Sequence, residues 1–292
     1  MTDARSDRVR GPGTLYLVGT PIGNLSDITL RAVETLKRVP RVAAEDTRRT
    51  RALLSHLGLG GKKLHSVNAN TREHELARLL DSLVEGDDVA LVTDAGMPSI
   101  SDPGAELVSA AVAREVAVVC IPGPSAVTTA AALSGMVSGP FLFLGFLPRK
   151  GKKRALALGR IAASSEPVIL FESPLRTEQT LAELASSIPD RRAAICRELT
   201  KLHEEVVRGT LAELALSAAE LRGEVTLVID GTTVDTAEPE LTSSEVDEAT
   251  AELLAQGHSV RDIVQLLLAR SGMPRQALYA RVQALRDAAA DD

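Results

Sequence analysis

Short apolar runs that alternate with amphipathic stretches constrain the first half of this chain more than any other feature. Five such runs, each followed by a Gly/Pro loop or a helical pattern, lie at residues 14–18, 39–43, 63–67, 89–93 and 116–121. The amphipathic stretches predict helices at residues 28–36, 48–57, 72–84, 104–113 and 125–133. Strands that alternate with helices in this way predict right-handed βαβ units and a mostly parallel sheet.

The pattern changes after residue 136. Apolar runs at residues 141–146, 168–172, 193–198 and 225–230 predict strands of a second sheet, with helices at residues 152–164, 175–187 and 211–221. A chain of 292 residues has room for two domains. The predicted fold class is therefore α/β. We expect an N-terminal α/β domain at residues 14–136, a second at 137–231, and a small C-terminal helical module at 242–292.

The segments outside these domains have a different composition. Residues 1–13 are charged and lack the apolar stretch of a signal peptide, so they predict a disordered tail. Residues 232–241 are polar and contain a proline, which predicts a linker.

Capping signals define the C-terminal module. Thr242 and Glu245 form a capping-box pattern, and Ser259 and Pro274 suit the starts of two further helices. Three helices could form a helix-turn-helix that binds DNA. Residues 239–292, however, carry five arginines against nine acidic residues, which favours a packing or dimerisation role.

The two cysteines and one long uncharged stretch indicate in which cellular compartment the chain is expected. Cys120 and Cys196 lie far apart in apolar or mixed surroundings, so we expect core thiols in a reducing compartment. Residues 116–148 are long enough to span a membrane, but prolines and glycines divide them into shorter segments. These features favour a cytoplasmic chain without a membrane span.

Two loops at predicted strand ends suit the capture of a small molecule. Residues 93–104 (TDAGMPSISDPG) follow one strand, and residues 121–126 (IPGPSA) follow the next and open a helix at Ser125. Ligands of α/β sheets bind at the carboxyl ends of strands, where backbone N–H groups and a hydroxyl can receive a carboxylate or an adenine edge. The first loop, at residues 18–25, lacks the glycine spacing of a dinucleotide fingerprint.

Positive charge is concentrated in two short segments of an acidic chain. The formal net charge of −6 excludes a global positive field, and the aromatic content of 2% argues against recognition on aromatic stacking platforms. Residues 149–154 nevertheless contain five cations, and residues 48–51 contain three. A solvated surface is the ordinary explanation of such runs, and a landing site for phosphates is the other.

Metal and nucleophile motifs do not occur in the sequence. The five histidines are scattered, with neither a Cys pair nor an H-E-x-x-H motif, so we expect no metal site. No G-x-S-x-G sequence surrounds a serine.

Six motifs in order resemble those of one family. They are GTPIGNLSDIT at residues 19–29, AEDTR at 44–48, DAGMPSISDPG at 94–104, IPGPSA at 121–126, GFLPRK at 145–150 and RELTK at 197–201. They resemble the ribosomal RNA small subunit methyltransferase I family, within the tetrapyrrole methylase superfamily. The resemblance covers residues 14–230 and extends to residues 272–285.

The resemblance implies a fold, a cofactor and a reaction. The fold is a pair of α/β domains of the tetrapyrrole methylase type, with S-adenosylmethionine in the cleft between them. The reaction is methylation of a cytidine ribose 2′-hydroxyl in small-subunit (16S) ribosomal RNA, by a homodimer. The cofactor-binding positions that match the superfamily are Ile22, Asp94, Ala95, Gly96, Pro98, Ser125, Ala126, Phe171, Glu172, Leu199 and Val225.

Two departures from the family are visible. Relatives often carry histidines where this sequence has Asn68-Ala-Asn70 and Leu175. We therefore expect no essential acid or base at those positions.

Three residues at predicted strand ends are candidates for removing the 2′-hydroxyl proton: Lys201, Glu172 and Glu198. A structural ion pair is the alternative role for each. Lys201 is preferred, on the condition that burial or a nearby positive charge, such as the sulfonium of the cofactor, lowers its pKa. The RNA-binding candidates are Arg48, Arg49, Arg149, Lys150, Lys152, Lys153 and Arg176.

Two other functions remain open. A small-molecule methylase acting on a tetrapyrrole or corrin would share the fold, but it would not need the cations at residues 149–154 and would usually show a G-x-G-P-G first loop. A non-enzymatic DNA-binding regulator would use the C-terminal helices, and their acidity counts against it.

Overall fold

The computed structural model describes residues 11–68, 71, 73–100, 104–218, 221–232, 241–268 and 270–290. The chain divides into two compact units, one up to Thr232 and the other from Thr233 onward. Most of the expected disordered tail and of the expected linker, residues 1–10 and 233–240, lies outside the described residues, as do Asn70 and residues 101–103. The domain boundary expected between residues 136 and 137 lies inside the first unit, so the division of this unit into two domains stays a prediction.

A five-stranded parallel sheet forms the first half of the larger unit. Its strands are β1 (Thr14–Val18), β2 (Arg41–Ala44), β3 (Lys63–Ser66), β4 (Val89–Val92) and β5 (Ala117–Ile121). The spatial order is β3-β2-β4-β1-β5, and every pair is parallel, as the βαβ pattern predicts. The helices are α1 (Leu30–Arg38), α2 (Thr47–His56), α3 (Glu73–Val84), α4 (Ala105–Ala113) and α5 (Ala126–Ser134).

A mixed five-stranded sheet forms the second half. Its strands are β6 (Leu142–Phe146), β7 (Val168–Glu172), β8 (Arg192–Arg197), β9 (Glu205–Thr210) and β10 (Val225–Ile229), in the order β6-β7-β10-β8-β9. Only β6 and β7 are parallel, and the other pairs are antiparallel. The helices are α6 (Lys152–Ala163), α7 (Pro174–Ala185) and α8 (Leu211–Ser217).

The edge strand β9 is the one strand of this sheet that the sequence did not predict. Its sequence, EVVRGT, has only two adjacent apolar residues, and none of its residues is fully buried. A strand that lies at a sheet edge buries too little surface to leave a period-two apolar pattern.

Helix α5 connects the two sheets. Its residues Val127 and Ala130 pack in one apolar cluster with Ile169, Ala194 and Val228 of the second sheet. The loops at the carboxyl ends of the first sheet therefore face the second sheet, and a cleft can form between them.

The two cysteines have different environments. Cys196 is buried in β8, as expected, and burial raises the pKa of its thiol to about 11. Cys120 is exposed, so the expectation of a core thiol is wrong there. The reason is that β5 is an edge strand, in which Ala117, Val119 and Cys120 are all exposed.

The C-terminal unit is the three-helix module that the capping signals predict. It consists of α9 (Ser243–Ala255), α10 (Val260–Leu267) and α11 (Arg275–Ala290). The Thr242 side chain and the Glu245 side chain each accept a hydrogen bond from the other's backbone N–H, at 3.4 and 2.8 Å. Ile263, Leu278 and Val282 form the centre of its core. In the part of the chain that the structure describes, no helix combines the length and apolarity needed to cross a bilayer.

Candidate active site

A cavity of about 410 Å³ lies between the two sheets. Loops at the carboxyl ends of β1, β2, β4 and β5 line one side, and the ends of β6 and β7, the turn after β8 and the start of β10 line the other. A volume of this size is typical of a small-molecule site, and its position at the strand ends is where α/β sheets bind ligands.

Backbone contacts join three loops of the first sheet. Thr20 and Gly96 exchange two backbone hydrogen bonds, of 2.9 and 3.1 Å, and Gly19 N donates to the Ile121 carbonyl at 3.0 Å. Gly96 has a φ of +85°, which favours glycine. A Cβ on Gly19 would lie 2.8 Å from Gly123 Cα, so the first and third loops approach too closely for any side chain there. These contacts fix one wall of the cavity.

Asp94 lies at the centre of an acidic group on this wall. Its carboxylate accepts a hydrogen bond from Asp46 N at 3.1 Å and lies 3.4 Å from a guanidinium nitrogen of Arg49. Burial raises the pKa of Asp94, and the Asp46 hydrogen bond offsets this only in part, while the nearby Glu45 carboxylate raises it further.

Glu45 is a cavity residue that the sequence reasoning missed. Its Oε2 accepts hydrogen bonds from Thr93 Oγ1 at 2.7 Å and from Asp94 N at 3.3 Å. The sequence could have indicated Glu45, because it directly follows β2, and β2 pairs with β4. Residues that follow two paired parallel strands lie side by side, so Glu45 is expected next to the loop of Asp94.

The amino end of α5 faces the cavity. Ser125 is the N-cap residue, but its side chain does not cap the helix, so its hydroxyl is available to a ligand. The first N–H groups of a helix have no partner within the helix, and the helix dipole makes this end favourable for an anion such as a carboxylate.

On the opposite wall, Glu172 is held in a buried network. Its side chain is fully buried and accepts hydrogen bonds from Ser173 N and from Thr180 Oγ1, both at 2.8 Å. Arg176 forms an ion pair with the same carboxylate and donates to the Leu147 carbonyl at 3.2 Å. Arg176, expected to bind RNA, is therefore already occupied by partners inside the protein.

Arg154 belongs to this network and not to the exposed basic run. It is buried and donates to Glu183 Oε2 at 2.8 Å, to Thr180 Oγ1 at 2.9 Å and to the Pro148 carbonyl at 3.2 Å. The run at residues 149–154 thus presents four exposed cations and not five. They are Arg149, Lys150, Lys152 and Lys153.

The candidate bases after β8 lie in a tight turn. Glu198 and Thr200 have φ of +50° and +65°, which ends the strand and brings Lys201 Nζ to 2.9 Å from Glu198 Oε1 and 3.0 Å from Glu224 Oε2. The hydrogen bond from Lys201, together with that from the backbone of Glu224, lowers the pKa of Glu198.

The protein's own groups do not supply the lowered pKa that a lysine base requires. Partial burial lowers the pKa of Lys201, but the hydrogen bonds to Glu198 and Glu224 raise it more, so the net shift is upward. Lys201 is held as an ammonium group. Neither Lys201 nor Glu198 lines the cavity, whereas Leu199 between them does.

The structure brings together ten of the eleven residues expected at the cofactor, and Pro98 alone does not line the cavity. The ten are Ile22, Asp94, Ala95, Gly96, Ser125, Ala126, Phe171, Glu172, Leu199 and Val225. Of the cations expected to bind RNA, Arg49 lines the cavity and Arg48 is exposed beside it, paired with Asp46 at 2.9 Å. Within the described ranges, no group of three or more His, Cys, Asp or Glu side chains is arranged to hold a metal ion.

Comparison with known proteins first identifies the class. Residues 14–215 match the family model described as Tetrapyrrole (Corrin/Porphyrin) Methylases. The fold is similar to that of the uroporphyrin-III C-methyl transferase from Thermus thermophilus complexed with S-adenyl homocysteine, with a TM-score of 0.53 and 20% identity, over 77% of this chain and 100% of that chain. The chain therefore belongs to the tetrapyrrole methylase family and has its fold, and the expected fold class is confirmed.

Sequence relatives narrow the class to one family. The chain is 42% identical over 272 residues to the ribosomal RNA small subunit methyltransferase I of Halalkalibacterium halodurans, covering 91% of this chain and 93% of that protein. It is 43% identical over 293 residues to the protein of the same name from Micromonospora olivasterospora, covering 96% and 91%. The chain belongs to the ribosomal RNA small subunit methyltransferase I family, which confirms the resemblance of its motifs.

Proposed function

We propose that this protein transfers a methyl group from S-adenosylmethionine to the 2′-hydroxyl of a cytidine ribose in small-subunit (16S) ribosomal RNA. The observation that carries the proposal is the cavity at the strand ends, which ten of the eleven expected cofactor positions line. The name shared by the relatives, ribosomal RNA small subunit methyltransferase I, supports the RNA substrate.

The charges and shape of the cavity fit the cofactor. Among the described residues, four carboxylates line the cavity, namely Glu45, Asp94, Glu172 and Glu224, against a single arginine, Arg49, so the lining is acidic. An acidic wall attracts a sulfonium and an ammonium group and binds the neutral thioether product less strongly. The amino end of α5 is the place for the cofactor carboxylate, and the bound cofactor supplies an electrophilic methyl group on sulfur.

Alignment is the main catalytic contribution of this arrangement. Methyl transfer is an in-line displacement, and fixing both reactants supplies on the order of 7 to 11 kcal/mol in well-oriented systems. Helix α5 packs against the second sheet, and the backbone contacts among the loops after β1, β4 and β5 fix the other wall, so the two walls can hold such an alignment.

None of the three candidate bases is free to take the 2′-hydroxyl proton. Lys201 is held as an ammonium group, and Glu198 is engaged by Lys201 and Glu224 N. Glu172 lines the cavity, but its buried carboxylate is engaged by Arg176, Ser173 N and Thr180 Oγ1, so alignment carries the proposal. A positioned base contributes about 10² to 10⁴ in rate. Lys201 then has a positioning role, because it joins the turn after β8 to the start of β10.

The exposed cations in and directly after the GFLPRK motif are assigned to RNA phosphates. An acidic chain binds RNA where its cations are concentrated, and Arg149, Lys150, Lys152 and Lys153 form such a concentration beside the cavity residue Phe146. We extend the proposal to a cytoplasmic homodimer that acts on the small ribosomal subunit.

The test uses small subunits isolated from cells that lack the gene. Incubation with the purified protein and methyl-labelled S-adenosylmethionine should give 2′-O-methylcytidine in nuclease digests of 16S RNA, detected by mass spectrometry. Naked 16S RNA, assayed in parallel, identifies the form of the substrate. Label transfer to a tetrapyrrole and not to RNA would replace the proposal with the small-molecule alternative, and DNA binding without methyl transfer would support the regulator.

A further inference from the structure

Three of the four phenylalanines of this aromatic-poor chain lie together beside the cavity. The ring centroids of Phe143 and Phe171 are 5.1 Å apart with an interplanar angle of 71°, and those of Phe146 and Phe171 are 5.5 Å apart at 55°. Both distances fall within the range of favourable aromatic pairs. The low aromatic content of the whole chain, 2%, therefore does not exclude an aromatic stacking surface at this place.

A bulge in β6 creates the cluster. In a regular strand, residues three apart point to opposite faces, so Phe143 and Phe146 could not both reach one ring. Phe143 pairs with Ile169 and Phe146 with Phe171, so one extra residue of β6 lies between the two pairs. Gly145 has a φ of +60° at this point. An extra residue in one strand redirects the side chains that follow it, and here it turns Phe146 onto the Phe171 ring.

The Phe146 ring is exposed where the cavity opens. Phe146 is 58% exposed and lines the cavity, whereas Phe171 behind it is half-buried. The exposed cations Arg149 and Lys150 follow within four residues along the chain. An aromatic surface next to a cluster of cations is the combination with which proteins bind unpaired RNA, because the ring stacks on a base while the cations contact phosphates.

We propose that Phe146 is the platform on which the base of the target nucleotide stacks while its ribose enters the cavity. The inference rests on the proposed function and adds how the acceptor nucleotide is held. A nucleotide must leave its stack before an enzyme can reach it, and a flat apolar surface replaces part of the lost stacking. Phe171 supports the ring from behind, and the neighbouring cations bind the adjoining phosphates.

The adenine of the cofactor is a second flat base that could use the same ring, and a fluorescence experiment distinguishes the two. The chain has no tryptophan, so Phe146→Trp introduces a single indole reporter. It is titrated with S-adenosylhomocysteine, with an RNA hairpin carrying the target cytidine, and with the same hairpin lacking only that base. We expect quenching by the intact hairpin, little by the abasic hairpin and none by the cofactor product alone. Quenching by S-adenosylhomocysteine alone would assign the ring to adenine and overturn the proposal.

Binding measurements without a tryptophan reporter also test whether Phe146 stacks on the base of the RNA. Phe146→Ala should weaken binding of the hairpin by about 5- to 150-fold, the range for loss of one stacked base, and leave the affinity for S-adenosylhomocysteine unchanged. Phe146→Tyr should restore most of the affinity. Leu216→Ala, at an 88% exposed position of α8, is the control for loss of an exposed apolar side chain and should change neither.

Failure of the inference is separable from failure of the proposed function. If Phe146→Ala binds the hairpin and methylates 16S RNA like the unaltered protein, the platform is refuted while the function stands. If the unaltered protein methylates neither isolated small subunits nor naked 16S RNA, the function itself is refuted.

Discussion

Thr180→Val removes one hydroxyl and tests the buried network that joins the cavity to the basic run. Thr180 Oγ1 donates to Glu172 Oε2 at 2.8 Å and accepts from Arg154 at 2.9 Å, and the residue is fully buried. Valine has nearly the same shape, so the change removes the two hydrogen bonds without leaving a large cavity.

The expected loss follows from the charged partners. Each hydrogen bond to a charged group contributes about 1.5 to 3 kcal/mol, but Glu172 keeps Ser173 N and Arg176, and Arg154 keeps Glu183 and the Pro148 carbonyl. We therefore expect the free energy of unfolding to fall by roughly 2 to 4 kcal/mol. Urea denaturation followed by circular dichroism measures it.

Thr177→Val is the matched control on the same helix. Thr177 is also fully buried, but its hydroxyl donates to the Ser173 carbonyl at 3.0 Å and bridges no charges. Loss of one neutral hydrogen bond should cost about 0.5 to 1.5 kcal/mol. Equal losses in the two variants would refute the reasoning that Thr180 connects two buried charged groups.

Four further outcomes follow from the site. Ala126→Trp should fill the cavity beside α5 and abolish calorimetric binding of S-adenosylhomocysteine while the circular dichroism spectrum is retained. Asp94→Ala should weaken calorimetric binding of S-adenosylmethionine at least about tenfold, because it removes a negative charge from the acidic lining that attracts the sulfonium of this ligand. Lys201→Arg should retain most of the turnover rate, since a guanidinium can keep the ion pairs with Glu198 and Glu224; a loss above about 100-fold would restore lysine as the base. Replacing the four exposed cations of the GFLPRK region by glutamine should flatten the salt dependence of RNA binding by about one unit per phosphate contact, and an unchanged slope would identify a solvated surface. The cations are Arg149, Lys150, Lys152 and Lys153.

The parts of the fold that local sequence dictates were predictable. The five strands of the parallel sheet were each placed to within two residues. The central strand β4 (VALV) is a fully buried apolar run, as expected of a parallel strand, whereas the edge strand β3 (KLHS) has no buried residue. The two loops expected to capture a small molecule, at residues 93–104 and 121–126, followed from the same reasoning, since the carboxyl ends of parallel strands meet at one edge. The cofactor positions came from the resemblance to the family.

The features that the sequence did not reveal depend on contacts between distant residues. Arg154 looked like one more surface cation, yet its partner Glu183 is 29 positions away. The protonation of Lys201 depends on Glu224, 23 positions further along the chain. No local pattern encodes such pairs, so a count of charges identified the basic run but not which of its members is buried.

The backbone hydrogen bonds between Thr20 and Gly96, and between Gly19 and Ile121, have a consequence for the rate of ligand binding. Loops that are already joined lose little conformational entropy when a small molecule arrives. Association with S-adenosylhomocysteine should therefore be a single exponential process whose observed rate rises linearly with ligand concentration. A slow loop rearrangement would instead make that rate level off.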